Sequence, residues 1–315
     1  MTWTMNKKLL AAASVAMTVL APVTVQAQVP ESTDPIRVAV NEWTGQALSA
    51  NIAGAVLREM GYNVDLVIAS SLPHLAVIAA GDLDVNPEIW DNTVNDAYTI
   101  AVASGDIVVS GNLGLEPHEG WVYPPYMEER CPGLPDYRAL YDCAQAFSTA
   151  ETFPNGRLIG YPADWGNKSE TLVSAIGLPF KVVPGGSEGA MIAEIKGAIA
   201  AEEPILIMFW QPHWLFANVE LNFVKFNESE GPCVEGSVQT KETACGFAQG
   251  HVVKIQNRNF STKYPAAAAM MTKFTLTNAE QNQMILEVDQ KGRTVDDVVQ
   301  EWMTQNKIKW SEWIK

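Results

Sequence analysis

The chain has 315 residues and a formal net charge of −15, from 21 basic and 36 acidic side chains. Its hydrophobic residues, 47% of the total, are enough to build one large or two medium globular domains. So acidic a chain repels phosphate backbones and anionic head groups, which argues against nucleic acid as a partner and favours a cationic small molecule. The alternative explanation of the same composition is that the acidity only keeps the protein in solution.

The first 27 residues have the pattern of an export signal. Lys7 and Lys8 precede an apolar stretch that ends in the small residues before the predicted cleavage site after Ala27. The stretch is short for a membrane span, and no cysteine follows Ala27, so neither a membrane anchor nor a lipoprotein is indicated. Residues 1–27 are therefore predicted to be a signal peptide. Cleavage removes both lysines, which leaves a periplasmic chain with a charge of −17.

Strand-like and helical segments alternate from residue 36 onwards. The run IRVAV is followed by SANIAGAVLREMGY, with apolar residues at helical spacing, and then by NVDLVIAS. A second block of the same kind starts after Trp121 and ends in PILIMFW, and the tail from Pro265 has a helical pattern. The pattern predicts an α/β fold in which each block is a sheet flanked by helices. The two blocks are either sequential domains or two lobes, with the tail returning to the first.

The four cysteines form two pairs, each separated by twelve residues. In an oxidising compartment this spacing favours local disulfides, Cys131 with Cys143 and Cys233 with Cys245, among three connectivities. A zinc site would need closer pairs such as C-x-x-C, and none occurs. We therefore predict two disulfides that close loops, with no metal site and no cofactor.

One short motif points to an enzyme. Ser187 lies in the sequence GGSEG, which fits the G-x-S-x-G pattern of hydrolases, and His213 and His251 follow as candidate bases. However, no Asp lies between Ser187 and His251, and a serine after a Pro-Gly-Gly turn is also typical of a helix N-cap. The sequence thus favours a protein that is not an enzyme, and a secreted α/β hydrolase using Ser187 is the alternative.

Tryptophan is placed unusually in this chain. Trp43, Trp165 and Trp210 each follow a predicted strand, and ligands of open α/β sheets bind beyond the carboxyl ends of the strands. Any one of these residues alone would more often belong to the core. Several at strand ends favour an aromatic binding site. The tail tryptophans are instead assigned to packing; they are Trp302, Trp310 and Trp313.

A cage of indoles suits one class of ligand. A quaternary or fully methylated ammonium has no N–H to donate, so its head cannot be held by hydrogen bonds. Cation–π attraction to indole faces can hold it, at roughly 0.5–2 kcal/mol per ring. The acidic surface fits the same class of ligand.

The chain resembles the substrate-binding proteins of ABC importers for glycine betaine, proline betaine, choline and related methylated amines. The resemblance covers most of the mature chain and is carried by VAVNEWTG, GDLDVNPEIWDN, GGSEGAM, MFWQPHWLFAN and the tail. It implies a hinged, two-lobed fold of the periplasmic binding protein type II kind, in which the chain crosses between lobes twice. On that pattern the first lobe comprises residues 28–112 and 217–315, and the second comprises residues 113–216.

The resemblance also implies roles for particular residues. Trp43 and Trp90 would form the cage walls of the first lobe, and Trp165 and Trp210 those of the second. Other aromatic residues would support the cage from behind; they are His213, Trp214 and Trp121, which opens the second block. The protein would capture an osmoprotectant-like solute as a monomer and deliver it to a permease and ATPase at the inner membrane.

The polar end of the ligand needs a partner of its own. The candidate walls have acidic neighbours, and Lys168 is the main cationic exception; the acidic residues are Glu42, Glu88, Asp91, Glu119 and Asp164. Glu119 lies two residues before Trp121, close to the expected crossover, and is predicted to face the ligand. A carboxylate there favours choline or trimethylamine N-oxide over glycine betaine, because glycine betaine itself carries a carboxylate.

Overall fold

The structure is a computed structural model that describes residues 1–2, 29–92, 96–227, 233, 236–248 and 250–315. Apart from its first two residues, the predicted signal peptide lies outside the described residues. Within the described ranges, no helix has both the length and the apolar character needed to cross a membrane.

The secondary structure alternates strands and helices in the predicted manner. The strands are β1 (Ile36–Val40), β2 (Val64–Ile68), β3 (Val85–Trp90), β4 (Ile107–Asn112), β5 (His118–Tyr123), β6 (Pro132–Pro135), β7 (Gly156–Gly160), β8 (Phe180–Pro184), β9 (Ile207–Gln211), β10 (Asn222–Phe223) and β11 (Val252–Asn257). The α-helices are α1 (Thr44–Glu59), α2 (Pro73–Ala80), α3 (Asp96–Ala103), α4 (Met127–Arg130), α5 (Ala139–Cys143), α6 (Lys168–Ile176), α7 (Glu188–Ala201), α8 (Leu215–Asn218), α9 (Phe260–Lys263), α10 (Pro265–Lys273), α11 (Asn278–Asp289), α12 (Val295–Gln305) and α13 (Lys307–Trp313).

Ten of these strands form two five-stranded sheets, one in each lobe, and β6 belongs to neither sheet. The first sheet has the order β2-β1-β3-β11-β4, in which β1 is parallel to β2 and β3 while β11 is antiparallel to its neighbours. The second has the order β10-β5-β9-β7-β8, with β7 parallel to β8 and β9 and with β5 antiparallel to β9 and β10. The predicted two-lobed α/β fold is confirmed.

The chain crosses between the lobes twice. It leaves the first sheet after β4, enters the second at β5, and returns to the first at β11. Helices α11 and α12 then pack against α1 of the first lobe. Of the two arrangements that the sequence left open, the structure therefore has the one in which the tail returns.

The return crossing lies later than the predicted boundary at residue 217. Strand β10 pairs with β5, and the rings of Phe226 and Phe247 contact the buried ring of Trp121 in the second lobe. The described residues around Phe226 and Phe247 thus pack on the second lobe. The earlier boundary was implied by the family resemblance, and this segment contains only a two-residue strand that could have indicated a later one.

Two disulfides close loops of the second lobe. Cys131 is bonded to Cys143, and Cys233 is bonded to Cys245, with Cα–Cα distances of 5.3 and 5.1 Å. Both local pairings predicted from the spacing are confirmed.

The tail tryptophans pack in the first lobe, as predicted. The rings of Trp302 and Trp313 stack with centroids 6.0 Å apart, and Trp310 donates its indole N–H to the Met303 carbonyl at 2.8 Å. All three side chains are buried. They tie the last two helices to the lobe and lie outside the cleft.

A lysine is fully buried in the first lobe. Lys254, in β11, points its ammonium at the carbonyls of Thr272 and Phe274 at the end of α10, at 3.1 and 2.5 Å. Burial lowers the pKa of Lys254 to about 8, because the charged form loses its hydration. Part of the folding free energy therefore depends on whether this side chain is protonated.

This shift predicts a pH-dependent difference between the wild type and Lys254→Met. Between pH about 8 and the unfolded pKa of about 10.4, the unfolded state binds more protons at Lys254 than the folded state. Wild-type stability should therefore rise with pH in that window, relative to the variant, by at most roughly 1.4 kcal/mol per pH unit. Urea unfolding of both proteins at several pH values measures the difference, and a flat difference would contradict the assignment.

Candidate ligand-binding site

A small cavity lies in the cleft between the lobes. It has a volume of about 40 Å³. Because one water needs roughly 10–15 Å³ of such space, the cavity suits a small solute. Its lining comes from both lobes and consists of Trp43, Ser71, Ile89, Trp90, Glu119, Tyr161, Trp165 and Trp210. The four tryptophans predicted as cage walls and Glu119 are thus brought to one place.

These side chains are positioned by the strands of the two sheets, most of them at or just after the end of a strand. Trp90 is the last residue of β3, and Trp43 follows β1 as the N-cap residue of α1. In the second lobe Trp210 lies in β9 directly opposite Glu119 in β5, so both side chains lie on the same face of that pair. Trp165 lies in the loop between β7 and α6.

The aromatic rings form one continuous wall across the cleft. The ring of Trp43 in the first lobe lies 5.2 Å from that of Trp165 in the second, with an interplanar angle of 63°. Trp165 lies 5.6 Å from Trp210, and Tyr161 lies 5.9 and 5.7 Å from these two rings. The rings meet at steep angles, so they surround a space rather than stack flat against each other.

Glu119 is a buried carboxylate with partners in both lobes. It accepts hydrogen bonds from the Tyr161 hydroxyl at 2.6 Å, the Lys168 ammonium at 3.0 Å and the Asn92 amide at 2.5 Å. Burial alone would raise the pKa of Glu119, but the charge of Lys168 and these hydrogen bonds hold it below its ordinary value. Glu119 is therefore ionised at neutral pH.

A second buried carboxylate, Glu88, lies behind the first-lobe walls. Its Oε1 accepts the indole N–H groups of Trp43 and Trp90, at 3.1 and 3.2 Å. Its Oε2 accepts from Ser49 and Gln281, both at 2.7 Å. Burial raises the pKa of the Glu88 carboxyl, and the hydrogen bonds act in the opposite direction.

The residues predicted to support the cage occupy different places. The ring of His213 lies 5.5 Å from that of Trp210, directly behind this wall, and Trp214 comes next along the chain. Trp121 lies in the core of the second lobe, where its indole donates to Ser169 at 3.0 Å. It does not line the cavity, because it packs against Phe226 and Phe247.

Contacts beside the cavity join the two lobes directly. The backbone N–H of Thr44 donates to Glu188 of the second lobe at 2.8 Å, while within the first lobe the Thr44 hydroxyl donates to Asp289 at 2.6 Å. The second lobe reaches the same Asp289 through the indole N–H of Trp214, at 3.0 Å. Burial and the nearby charge of Glu188 raise the pKa of Asp289.

The same contacts contain the one group of side chains in the described chain that has the spacing of a metal site. Donor atoms of Glu188, His213 and Asp289 lie within 4.8 Å of one another. Each is already engaged: His213 Nδ1 accepts from the Leu215 N–H, so its Nε2 carries the proton that it donates to Glu188 at 3.2 Å. Hydrogen bonding accounts for this cluster without an ion.

The chain also matches a known protein family. Residues 34–305 match OpuAC, described as the substrate-binding domain of ABC-type glycine betaine transport systems. The chain belongs to this family.

Known relatives align with nearly the whole length of this chain. A trimethylamine N-oxide-binding protein of Pelagibacter ubique (strain HTCC1062) is 29% identical over 90% of this chain and 92% of its own. Lactococcal OpuAC, closed and complexed with glycine betaine, aligns with a TM-score of 0.73 at 19% identity, over 90% of this chain and 100% of its own. A choline-binding protein in complex with choline aligns with a TM-score of 0.74 at 16% identity, over 90% and 93%. Both solved structures share the fold.

The hydrolase alternative finds no support in the structure. Ser187 is the N-cap residue of α7, and its hydroxyl accepts the Ala190 N–H at 3.2 Å. Both ring nitrogens of His213 bond elsewhere, and His251 lies in the first lobe beside Asp91. The G-x-S-x-G pattern therefore reflects helix capping.

Three lining residues were not predicted from the sequence: Ser71, Ile89 and Tyr161. Tyr161 directly follows β7, so the strand-end rule that found the tryptophans would also have found this tyrosine. Ser71 lies in the loop after β2, where the same rule applies. Ile89 is one of six buried residues in β3, and nothing in the sequence distinguishes it from a core residue.

Proposed function

We propose that this protein is the extracytoplasmic solute receptor of an ABC importer and that it captures a methylated ammonium compound in the tryptophan cage. The observation that carries the proposal is the convergence of four indoles, two from each lobe, on one cavity. Indole faces attract a cation whose methyl groups leave no N–H to donate. Because each lobe supplies half of the walls, binding favours the closed arrangement of the lobes.

The partner of the ligand's polar end is Glu119. The choline hydroxyl can donate a hydrogen bond to this ionised carboxylate, and so can trimethylamine N-oxide when its oxygen is protonated. Glycine betaine would bring a second carboxylate, and the nearby Lys168 already forms an ion pair with Glu119 at 3.0 Å. Choline and trimethylamine N-oxide are therefore the preferred ligands, and the trimethylamine N-oxide-binding relative supports the latter.

The route to the ligand follows from family membership and the predicted export signal. Residues 1–27 direct the chain to the periplasm, where the monomeric receptor encounters its solute. It then delivers the solute to an inner-membrane permease driven by an ATPase. In this role the protein binds and releases its ligand without chemical change and acts without a cofactor.

Closure of the cleft is stabilised by contacts that do not touch the ligand. Thr44 of the first lobe bonds Glu188 of the second through its backbone N–H, and Trp214 of the second lobe bonds Asp289 of the first. These bonds hold the second lobe next to α1 and α11. Their free energy adds to that of the cage, so they slow release of a bound solute.

The first prediction concerns ligand preference. Calorimetry should rank choline or trimethylamine N-oxide above glycine betaine, and Glu119→Gln should weaken their binding by roughly 1.5–3 kcal/mol, since a charge-assisted hydrogen bond is lost. The control is Glu194→Gln, which breaks the exposed ion pair with Arg157 in the same lobe. Tightest binding of glycine betaine, or wild-type affinity in Glu119→Gln, would contradict the role of Glu119.

The second prediction concerns the cage. Trp→Ala at Trp43, Trp90, Trp165 or Trp210 should lower affinity by about tenfold or more, because each ring supplies cation–π attraction and contact area. Trp302→Ala is the control, since it deletes a buried indole in the tail. Tryptophan fluorescence titration measures both, and equal losses at cage and tail positions would rule out the cage.

The third prediction concerns closure. Trp214→Phe removes the indole N–H bond that joins the second lobe to Asp289 but keeps an aromatic ring, so choline should dissociate about twofold to tenfold faster. Stopped-flow fluorescence measures the rate. Trp310→Phe is the control, because its indole N–H bonds the Met303 carbonyl within the first lobe. Equal dissociation rates in Trp214→Phe and wild type would show that this bond does not hold the closed state.

A further inference from the structure

Glu88 is buried without a charged partner of its own. The side chain is 0% exposed, and within the described part of the chain no lysine, arginine or histidine forms an ion pair with it. Glu119, the other buried carboxylate of the cleft, has Lys168. A buried charge that lacks a counter-charge costs several kcal/mol of folding free energy, so its place behind a cation-binding cage requires an explanation.

Three of the four hydrogen bonds of Glu88 come from groups that can only donate, and this favours the ionised carboxylate. Indole N–H groups can only donate, and both bonds to Oε1 come from indoles, those of Trp43 and Trp90. On Oε2 the Gln281 amide nitrogen also only donates, and only Ser49 has the capacity to accept. Four donors converge on two oxygens, which is the full capacity of a carboxylate anion.

The same bonds fix the orientation of the first-lobe walls. Trp43 lies at the start of α1 and Trp90 at the end of β3, yet their N–H groups share one oxygen atom. Each ring is therefore held at its N–H edge, which leaves its face available to the cavity. Walls fixed before the ligand arrives lose less conformational entropy on binding.

We propose that Glu88 is the buried counter-charge of the bound ammonium, and that it acts through the two indoles it positions, making the cage selective for a cation over a neutral solute of the same shape. Glu88 does not line the cavity, so it is a positioning residue rather than a contact residue. Its negative charge lies behind the rings in a region shielded from water, where Coulomb attraction is stronger than at the surface.

The inference rests on the proposed function and is tested with two ligands of equal shape. One is choline, and the other is its neutral carbon isostere, in which a tert-butyl group replaces the trimethylammonium group. Glu88→Gln keeps the size of the side chain and removes its charge. It should lower the affinity for choline by about tenfold or more and that for the isostere by less than about threefold.

A second variant separates charge from position and is informative even if Glu88→Gln does not fold. Glu88→Asp keeps the charge but shortens the reach to the indoles, so both affinities should fall while their ratio stays within about threefold of wild type. The matched control is Asp84→Asn, which removes a buried carboxylate charge that pairs with Arg37 at 2.9 Å, before the start of β3 and outside the cavity. It should leave the ratio unchanged.

The outcomes are distinct. In Glu88→Gln, an equal loss of affinity for both ligands, or no loss, would overturn the inference. A fall in the ratio of choline affinity to isostere affinity in Glu88→Asp or in Asp84→Asn would also overturn it. Wild-type protein that binds no methylated ammonium compound would overturn the proposed function, and the inference with it. Wild-type binding with an unchanged ratio in Glu88→Gln would overturn the inference alone.

Discussion

The contact between the ring of Trp43 and that of Trp165, 5.2 Å apart, is the interaction on which the site depends. It joins an indole of the first lobe to one of the second and closes the aromatic wall around the cavity. Neither lobe alone presents the whole of that wall. A cation that hydrogen bonds cannot hold has to be surrounded by aromatic faces. Faces on opposite sides of the cation have to come from two lobes that meet.

The pKa values of the carboxylates at the cleft are shifted in different directions according to what surrounds each of them. Glu119 has a lysine and further donors, and its pKa lies below the ordinary value. Glu88 has donors but no cation among the described residues, and burial raises its pKa. Asp289 is half-buried and lies near Glu188, and its pKa is also raised. All three are shielded from water at least in part, so the neighbours decide the difference between Glu119 and the other two.

The sequence predicted the repetitive parts of the fold more closely than the irregular ones. Strands such as IRVAV and the helix after it have clear periodicity, and they form β1 and α1. The segment between β10 and β11 has little periodicity. Nothing in it therefore indicated that the lobe boundary implied by the resemblance, at residue 217, came too early. What holds the described part of that segment on the second lobe is the packing of Phe226 and Phe247 against Trp121, a long-range contact that no local pattern encodes.

The sequence by itself determined the α/β class, the two local disulfides and the set of tryptophans at strand ends, because each follows from spacing along the chain. Residue type and position at the end of a strand were enough to select Trp43, Trp165 and Trp210. Periodicity left open whether the tail returns to the first lobe, and the family resemblance implied that it does. Only the tertiary structure decided that Lys168 pairs with Glu119 and that Glu88 joins two indoles. Partners such as Glu88 and Gln281 are 193 residues apart, and their meeting depends on which helix packs on which sheet.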